Sequence, residues 1–308
     1  MQRLIDKIVE YQNPTVAGLD PKLAYVPSFI KEKCFEKYGK NLEGAAQALF
    51  EFNKALIDAL CDIVPAVKPQ AAYYEMYGWQ GVKALAQTIA YAKEKGMYVI
   101  TDGKRNDIGT TMEAYAAAHL GATDLEGEEV EAFSADALTV NGYLGSDGIN
   151  PLLKICADRD KSVFVLVKTS NPSSGEFQDK KIDDKTVYET MGDMCENWGK
   201  DLRGASGYSA VGAVVGATYP EMLGELREKL PHTFFLVPGY GAQGGGANDV
   251  KFAFDKNGIG AIVNSSRGIM CAWSKEEGSS EADFAAAARR EAIRMRDDIR
   301  SVVGKMKA

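Results

Sequence analysis

The sequence contains only two histidines, His119 and His232, and they lie far apart along the chain. Its five cysteines are scattered, and no two of them form a C-x-x-C pair. Zinc sites are usually built from closely spaced cysteines and histidines. The small number and wide spacing of these residues therefore disfavour a His/Cys metal site. Scattered cysteines of this kind are typical of the reduced thiols of a cytoplasmic protein, and we expect that location.

Long apolar runs are also missing, since no segment approaches the roughly 18 apolar residues that a membrane-spanning helix needs. The first residues, MQRLIDKIVEYQ, are charged throughout and lack the apolar stretch of a signal peptide. The net charge of −7 creates no general attraction to nucleic acid or to an anionic membrane surface. We therefore expect neither a membrane nor a nucleic-acid partner, and a local basic pocket for a small anion stays open.

Short apolar runs rich in β-branched residues are what the chain does have, and polar or glycine-containing loops follow them. Eight runs are candidate strands: 15–20, 63–68, 97–102, 135–140, 162–168, 210–216, 234–238 and 260–264. They are nearly continuous in apolar residues rather than alternating, which indicates strands buried on both faces, as in a parallel sheet. Stretches with helical periodicity lie between most of them, notably 45–60, 79–96 and 220–230, and the stretch from Ala282 onward is strongly helical.

Eight β–α units in 308 residues predict a (β/α)₈ barrel, with an open doubly wound sheet as the alternative. No Pro- or Ser-rich linker divides the chain, so we interpret residues 1–308 as one domain. Segments 31–44, 121–134 and 171–188 are longer than a minimal connection. The second is acidic and is interpreted as a solvated insertion. The third follows the fifth predicted strand and is either a lid over a site or a surface excursion.

Charged and polar residues collect where the predicted strands end, which is where a barrel of this kind carries its active site. They are Asp20, Lys68, Asp102, Lys104, Lys168, Thr169 and Ser170. Any one of them could be an ordinary solvated charge, but the set indicates a site. Asp102 and Lys104 are two residues apart, so an extended chain would direct both side chains to one face. Lys68, on the neighbouring strand, can reach the same point.

Asp107 lies past a short turn at a predicted helix start, where a carboxylate suits the helix dipole. It is therefore either part of a charged array or a plain helix cap. An alternating Lys–Asp–Lys–Asp array holds each lysine charged between carboxylates. A lysine held as an ammonium is a proton donor rather than a nucleophile, and this disfavours a Schiff-base aldolase.

The loops after the seventh and eighth predicted strands indicate an anion site. The glycine-rich segment 239–246 lets backbone N–H groups approach an anion closely, and Arg267 opens a short predicted helix after the eighth strand. These are the loops with which barrels commonly bind phosphate. Arg267 can hold a phosphate bidentately and Gln243 can donate an amide hydrogen bond. Taken singly, segment 239–246 could be an ordinary flexible loop, and Arg267 could be an ordinary surface arginine.

Together these residues resemble the orotidine 5′-phosphate decarboxylase family, in its longer bacterial form. The resemblance covers most of the chain and rests on six motifs in the family's order: GLDP (18–21), AVKPQAAYYE (66–75), DGKRNDIGTT (102–111), TSNPSSGEF (169–177), VPGYGAQGG (237–245) and IVNSSRGI (262–269). Any single motif would be weak. The D-x-K-x-x-D-I pattern followed by P-G-x-G-A-Q-G and a late arginine is a specific combination.

The resemblance implies a homodimeric (β/α)₈ barrel that converts orotidine 5′-monophosphate to UMP in de novo pyrimidine synthesis, without metal or organic cofactor. By position, Lys104 would protonate C6 of the pyrimidine, and Asp102 would lie against the substrate carboxylate. Lys68 and Asp20 would hold the ribose hydroxyls, with Lys68 also part of the charged array.

The family's remaining positions also have counterparts in this chain. The resemblance implies that Asp107, Ile108 and Thr111 reach into the site of the partner subunit. It further implies that Ser170 would contact the pyrimidine at one end of the substrate. The phosphate would be held by Gln243 and Arg267, and the loop that closes on it would begin at Pro238 and Gly239.

Two other interpretations stay open at this point. The pattern D-x-K-x-x-D also resembles 3-keto-gulonate 6-phosphate decarboxylase, a magnesium-dependent sugar-phosphate enzyme of the same superfamily, although Lys68 stands where that enzyme has an acidic metal ligand. The other is a nucleotide-binding barrel without catalysis. Such a protein would tend to lose one of the charged residues, whereas Lys68, Asp102, Lys104 and Asp107 are all present.

Overall fold

The computed structural model describes residues 1–241 and 245–307, and twelve strands lie in these ranges. In chain order they are β1 (Thr15–Leu19), β2 (Ala66–Pro69), β3 (Tyr98–Arg105), β4 (Thr123–Leu125), β5 (Glu128–Val130), β6 (Ala137–Val140), β7 (Ser162–Lys168), β8 (Lys181–Ile182), β9 (Lys185–Thr186), β10 (Val211–Val215), β11 (Phe235–Val237) and β12 (Ala261–Ser265). All eight predicted strands are among them. They close into a parallel barrel in the order β1-β2-β3-β6-β7-β10-β11-β12, so the predicted barrel is confirmed and the open sheet is wrong.

Helices lie between the barrel strands and cover the outside of the barrel. They are α1 (Gln2–Tyr11), α2 (Ser28–Tyr38), α3 (Leu42–Leu60), α4 (Ala72–Glu75), α5 (Gly78–Glu94), α6 (Gly109–His119), α7 (Asn150–Arg159), α8 (Val187–Gly199), α9 (Pro220–Lys229), α10 (Ala247–Val250), α11 (Arg267–Met270) and α12 (Phe284–Val303). The helices predicted from periodicity correspond to α3, α5, α9 and α12. The buried residues of α3 recur at helical spacing and pack against the outer face of β1 and β2.

The barrel strands are buried on both faces, as their continuous apolar sequences predict. Every residue of β1, β2, β6, β10, β11 and β12 is buried. Tyr98, Phe164 and Phe234 fill the barrel interior, and α1 contributes Leu4 and Ile5 to the same cluster. Helix α1 thus closes the amino end of the barrel, which leaves the carboxyl end open for a site.

The three long segments take different forms. Segment 31–44 is the body of α2 and the start of α3. Segment 121–134 carries the antiparallel hairpin β4–β5, whose six residues are all exposed, as expected of a solvated insertion. Segment 171–188 contains a 3₁₀ turn at Pro172–Glu176 and the small hairpin β8–β9 before α8 begins.

The five cysteines are all free thiols, and four of them are buried. Within residues 1–241 and 245–307, no helix combines the length and the apolar composition that crossing a membrane requires.

Candidate active site

The open end of the barrel contains two adjoining cavities. The first, of about 400 Å³, is bordered by six of the residues singled out in the sequence: Asp20, Lys68, Asp102, Pro238, Gly239 and Arg267. The second, of about 450 Å³, is bordered by Lys68, Asp102, Lys104, Ser170 and Pro238. Lys68, Asp102 and Pro238 border both, so the two cavities form one continuous concave surface. We call them the β12-side cavity and the β7-side cavity.

A three-residue charged cluster lies where the two cavities meet. Lys68 Nζ on β2 donates to Asp102 Oδ2 at 2.7 Å, and Lys104 Nζ donates to Asp102 Oδ1 at 2.6 Å. Lys68 and Asp102 are almost fully buried, whereas the Lys104 side chain is 46% exposed. The cluster therefore has one ammonium fixed inside the barrel and one directed into the cavity.

Burial alone would raise the pKa of Asp102, but the ammonium groups of Lys68 and then Lys104 outweigh burial and hold that pKa well below its ordinary value. Burial alone would likewise lower the pKa of Lys68. The carboxylates of Asp102 and then Asp20 act against it, so the net shift raises the pKa of Lys68. The cluster thus keeps Asp102 as a carboxylate and Lys68 as an ammonium, as the array predicted from the sequence requires.

The contact between Asp102 and Lys104 is made in a way that the sequence did not predict. β3 and β6 pair regularly up to Thr101 and Leu138, and pairing resumes only at Arg105 and Val140. Between these pairs the chain of β3 bulges, and Lys104 takes a left-handed conformation with φ of 48°. The expectation of an extended chain is therefore wrong, because the bulge folds Lys104 back over Asp102.

Thr139 is a site residue that sequence reasoning missed. Its Oγ1 donates to Asp102 Oδ1 at 2.8 Å and accepts the backbone N–H of Lys104 at 3.0 Å. It is fully buried and borders the β7-side cavity. The only sequence signal was a hydroxyl residue within an otherwise apolar strand, which is common in parallel strands and carries little information.

Asp20 follows β1 and borders the β12-side cavity. Its Oδ1 is buried and has no hydrogen-bond partner among the described residues. A buried carboxylate oxygen in this state calls for a hydroxyl or N–H donor from a ligand. Gly18 allows this end of β1 to approach β12, because a Cβ there would collide with Ser266 Oγ.

The β12-side cavity is also bordered by predicted anion-binding groups. Arg267 is the first residue of α11, as predicted, and its exposed side chain borders the cavity. Pro238 and Gly239 follow β11, and Gly239 has a φ of 105°, which requires glycine. The next residue, Tyr240, is buried, and its hydroxyl donates to Asp298 on α12. Gln243 lies outside the described residues.

Part of the segment after β7 belongs to the cavity wall. Thr169 and Ser170 border the β7-side cavity, and the side chain of Gln178 returns to bond Thr169 through both its amide oxygen and its nitrogen. Lys168 is directed away from the cavity. Its buried Nζ donates to Asp179 at 2.6 Å and to Ser174 at 3.2 Å, which fastens the segment to the end of β7.

The three residues assigned to a partner subunit stand apart from the charged cluster. Asp107, Ile108 and Thr111 border neither the β12-side nor the β7-side cavity. α6 begins at Gly109 with Ile108 in the capping position, so Asp107 is not the helix cap. Its Oδ1 accepts the N–H of Ile108 at 2.8 Å instead. Ile108 and Thr111 are exposed to solvent.

The described residues contain no group of three or more His, Cys, Asp or Glu side chains arranged to hold a metal ion. At the charged cluster, Asp102 is already in contact with two ammonium groups. A cation at this position would meet their positive charge at close range, so the donor set suits an anionic ligand rather than a metal.

Comparisons with known proteins agree on one family. The family model described as "Orotidine 5′-phosphate decarboxylase / HUMPS family" matches residues 44–281. A curated relative from Rhodopirellula baltica, named orotidine 5′-phosphate decarboxylase, is 47% identical over 269 residues, which is 87% of this chain and 87% of that one. The protein of the same name from Clostridium acetobutylicum is 41% identical over 304 residues, covering 98% of this chain and 99% of that one.

A solved structure supports the same similarity. The structure of Leishmania donovani OMP decarboxylase matches this fold with a TM-score of 0.69 and 30% sequence identity. The match covers 96% of this chain and 98% of that one. The similarity therefore extends over nearly the whole of both chains.

Proposed function

The chain belongs to the orotidine 5′-phosphate decarboxylase / HUMPS family, and we propose that it is a carboxy-lyase that converts orotidine 5′-monophosphate to UMP in pyrimidine biosynthesis. One observation carries the proposal. The Lys68–Asp102–Lys104 cluster lies between a cavity that reaches Arg267 and a cavity that reaches Ser170. Orotidine 5′-monophosphate has its phosphate at one end and its carboxylate-bearing pyrimidine at the other. Arg267, the charged cluster and Ser170 follow one another in the order that such a molecule needs.

Lys104 is the proposed proton donor. Loss of carbon dioxide leaves an electron pair on C6, which has no conjugated position to accept it. The Lys104 ammonium borders the β7-side cavity and is held by Asp102 at 2.6 Å. A positive charge fixed beside C6 stabilises the developing carbanion and can then deliver its proton there. The C6–carboxylate bond breaks, a C6–H bond forms, and carbon dioxide leaves.

Asp102 is proposed to lie against the substrate carboxylate. Its low pKa keeps it ionised, so its repulsion of the neighbouring carboxylate would favour loss of that group as carbon dioxide, which leaves the electron pair on C6. The same carboxylate holds both lysines in place. We further propose that no metal and no organic cofactor takes part, because the ammonium groups at Asp102 already supply positive charge at the reacting carbon.

Ribose and phosphate are proposed to bind in the β12-side cavity. The unpartnered Oδ1 of Asp20 is a suitable acceptor for a ribose hydroxyl, and Lys68 can donate to another. Arg267 would hold the phosphate, together with Gln243 and the loop that starts at Pro238 and Gly239. Ser170, across the cluster in the β7-side cavity, would contact the pyrimidine.

We also propose a homodimer in which Asp107, Ile108 and Thr111 complete the site of the partner subunit. Large apolar side chains are exposed on the connections, loop or first helical turn, that follow four neighbouring barrel strands, β2, β3, β6 and β7. They are Met76, Trp79, Ile108, Tyr143, Leu144 and Phe177. Exposed apolar side chains grouped on neighbouring connections in this way are typical of a protein–protein interface. We call these six residues the apolar rim.

The proposal is tested by following decarboxylation of orotidine 5′-monophosphate spectrophotometrically, with excess EDTA and no added cofactor. We expect turnover to UMP for the wild type and loss of at least a thousandfold in kcat for Lys104→Ala, because the variant lacks both the electrostatic stabilisation and the proton donor. Lys180→Ala, a change of an exposed lysine outside both cavities, is the matched control and should retain full activity.

The same experiment distinguishes the two rival functions. Activity that needs magnesium and a keto-sugar phosphate would assign the chain to the sugar-phosphate decarboxylases. Tight UMP binding without turnover of either substrate would indicate a binding protein. Either result contradicts the proposed reaction.

A further inference from the structure

The bulge in β3 is opposite a single residue of β6. Pairing stops after Thr101 and resumes at Arg105, while β6 advances only from Leu138 to Val140. Three residues of β3 therefore stand opposite Thr139. A bulge of this kind removes regular ladder hydrogen bonds, so the polar groups within it need other partners.

The Thr139 hydroxyl supplies two of these partners. The Lys104 N–H donates to Oγ1 at 3.0 Å, so the hydroxyl proton is left to donate to Asp102 Oδ1 at 2.8 Å. Thr139 is 1% exposed, so its hydroxyl is largely shielded from solvent. One buried hydroxyl thus joins the backbone of Lys104 to the side chain of Asp102.

The conformation of Lys104 requires this support. A φ of 48° is unfavourable for a lysine by about 1 kcal/mol and persists only where the surroundings enforce it. Without the Thr139 hydroxyl, the Lys104 N–H would lose the hydrogen-bond partner that it has in the bulge. The local chain could then relax toward an extended conformation, which would turn the Lys104 ammonium away from Asp102.

We propose that Thr139 is a positioning residue for the decarboxylation: its hydroxyl holds the β3 bulge so that the Lys104 ammonium and the Asp102 carboxylate meet at the reacting carbon. The inference rests on the proposed function. Thr139 acts through Asp102 and Lys104, so its removal affects the chemical step, whereas the groups that bind ribose and phosphate lie on other strands.

The experiment compares Thr139→Val, Thr139→Ser and the wild type. Valine keeps the shape and removes both hydrogen bonds, and we expect kcat to fall roughly tenfold to a hundredfold, the usual effect of losing a hydrogen bond to a charged group. Serine keeps the hydroxyl, so its kcat should stay within about threefold of the wild type. The KM for orotidine 5′-monophosphate and the Kd for UMP should change by less than about threefold in both variants.

Thr101→Val is the matched control. Thr101 is a buried threonine on β3, the strand that carries Asp102 and Lys104, and its Oγ1 has no hydrogen-bond partner among the described residues. Its replacement should leave kcat unchanged. If Thr139→Val retains full kcat, or if serine fails to restore it, the positioning role is wrong.

The two proposals can fail separately. A wild type without decarboxylase activity would overturn the proposed function. An active wild type with an equally active Thr139→Val variant would overturn only the inference about Thr139. Parallel loss of UMP binding and kcat in Thr139→Val, with a lowered Tm, would show general damage to the fold and would also contradict a specific positioning role.

Discussion

At the scale of single residues, the charged cluster is costly, because its ions are removed from water. Lys68 and Asp102 are both nearly buried, and taking two ions out of water costs several kcal/mol for each. Each charge is offset by its partner at 2.7 Å, and Asp102 receives two further donors. An arrangement with this cost is expected where chemistry needs fixed charges, and the cluster lies at the barrel mouth.

Arg267 provides a prediction at this scale. Replacement by alanine should lower kcat/KM for orotidine 5′-monophosphate about a hundredfold, because a charge-assisted, bidentate contact with phosphate is lost. The phosphate is remote from C6, so part of the loss should appear in kcat, since its binding energy helps to order the site. Steady-state kinetics measure both parameters.

Arg203→Ala is the control for this change. Arg203 precedes β10, at the closed end of the barrel, and is exposed. We expect its kinetics to match the wild type and both variants to unfold at the wild-type temperature. An effect below tenfold for Arg267→Ala would count against the phosphate assignment.

At the scale of secondary structure elements, connections in this protein are fixed by buried polar side chains. Lys168 joins the end of β7 to Asp179, and the aromatic rings of Tyr188 and Tyr219 lie within 5.6 Å of its ammonium. These contacts explain how a long polar segment can hold Ser170 at the cavity. From the sequence, the same segment was interpreted as either a lid over a site or a surface excursion.

His119 provides a prediction at this scale, because it joins α6 to the inserted segment. Its ring stacks on Phe133 with centroids 5.0 Å apart, and burial, aided by the charge of Arg105, lowers its pKa from 6.5 to about 4. Between these values the unfolded chain binds a proton that the folded protein does not. The stability associated with neutral His119 is therefore complete above pH 6.5 and decreases as the pH falls toward 4.

The measurement is urea unfolding of the wild type and His119→Phe at pH 7 and pH 5. The wild type should lose about 2 kcal/mol more than the variant over this interval, at about 1.4 kcal/mol for each pH unit below 6.5. The other ionisable groups are the same in both proteins, so the difference in pH dependence is assigned to His119. Equal pH dependence of the two proteins would contradict a buried neutral imidazole.

At the scale of the whole molecule, the site appears on one face of the barrel and the apolar rim surrounds part of it. Tyr143 and Phe177 of the rim pack edge to face, with ring centroids 6.2 Å apart, across two neighbouring loops. Asp107 and Ile108 lie on the same side, outside both cavities. A two-fold symmetric dimer formed through this rim would bring each Asp107 toward the other subunit's site.

Subunit complementation tests this arrangement. Lys104→Ala and Asp107→Ala homodimers should each be nearly inactive, because each lacks a group in both of its sites. A heterodimer of the two has one complete site, built from Lys104 of one subunit and Asp107 of the other. Random mixing by co-expression should therefore restore about a quarter of the wild-type activity.

Two controls accompany the mixture. Ile108→Glu should weaken the dimer in analytical ultracentrifugation, whereas Phe252→Glu, at an apolar residue of similar exposure outside the rim, should not. A mixture that stays inactive although heterodimers form would show that Asp107 serves its own subunit, and the proposed sharing of sites would be wrong.

The sequence by itself determined the barrel and most of its mouth. Eight continuous apolar runs demanded burial on both faces, and the polar residues that end them lie at the mouth because parallel strands share one carboxyl end. Asp20, Lys68, Asp102, Lys104, Ser170 and Arg267 were predicted to lie there, and all six border the two cavities. The interpretation of residues 1–308 as one domain stays a prediction.

The tertiary structure alone decided how these groups meet. The β3 bulge, the left-handed Lys104 and the bridging hydroxyl of Thr139 depend on the register between β3 and β6, which are separated by the whole of α6 and the β4–β5 hairpin. The direction of Lys168 likewise depends on a carboxylate eleven residues away. Spacing along a chain specifies which face a regular element presents, but an irregularity between two strands depends on both partners, and only the folded barrel brings them together.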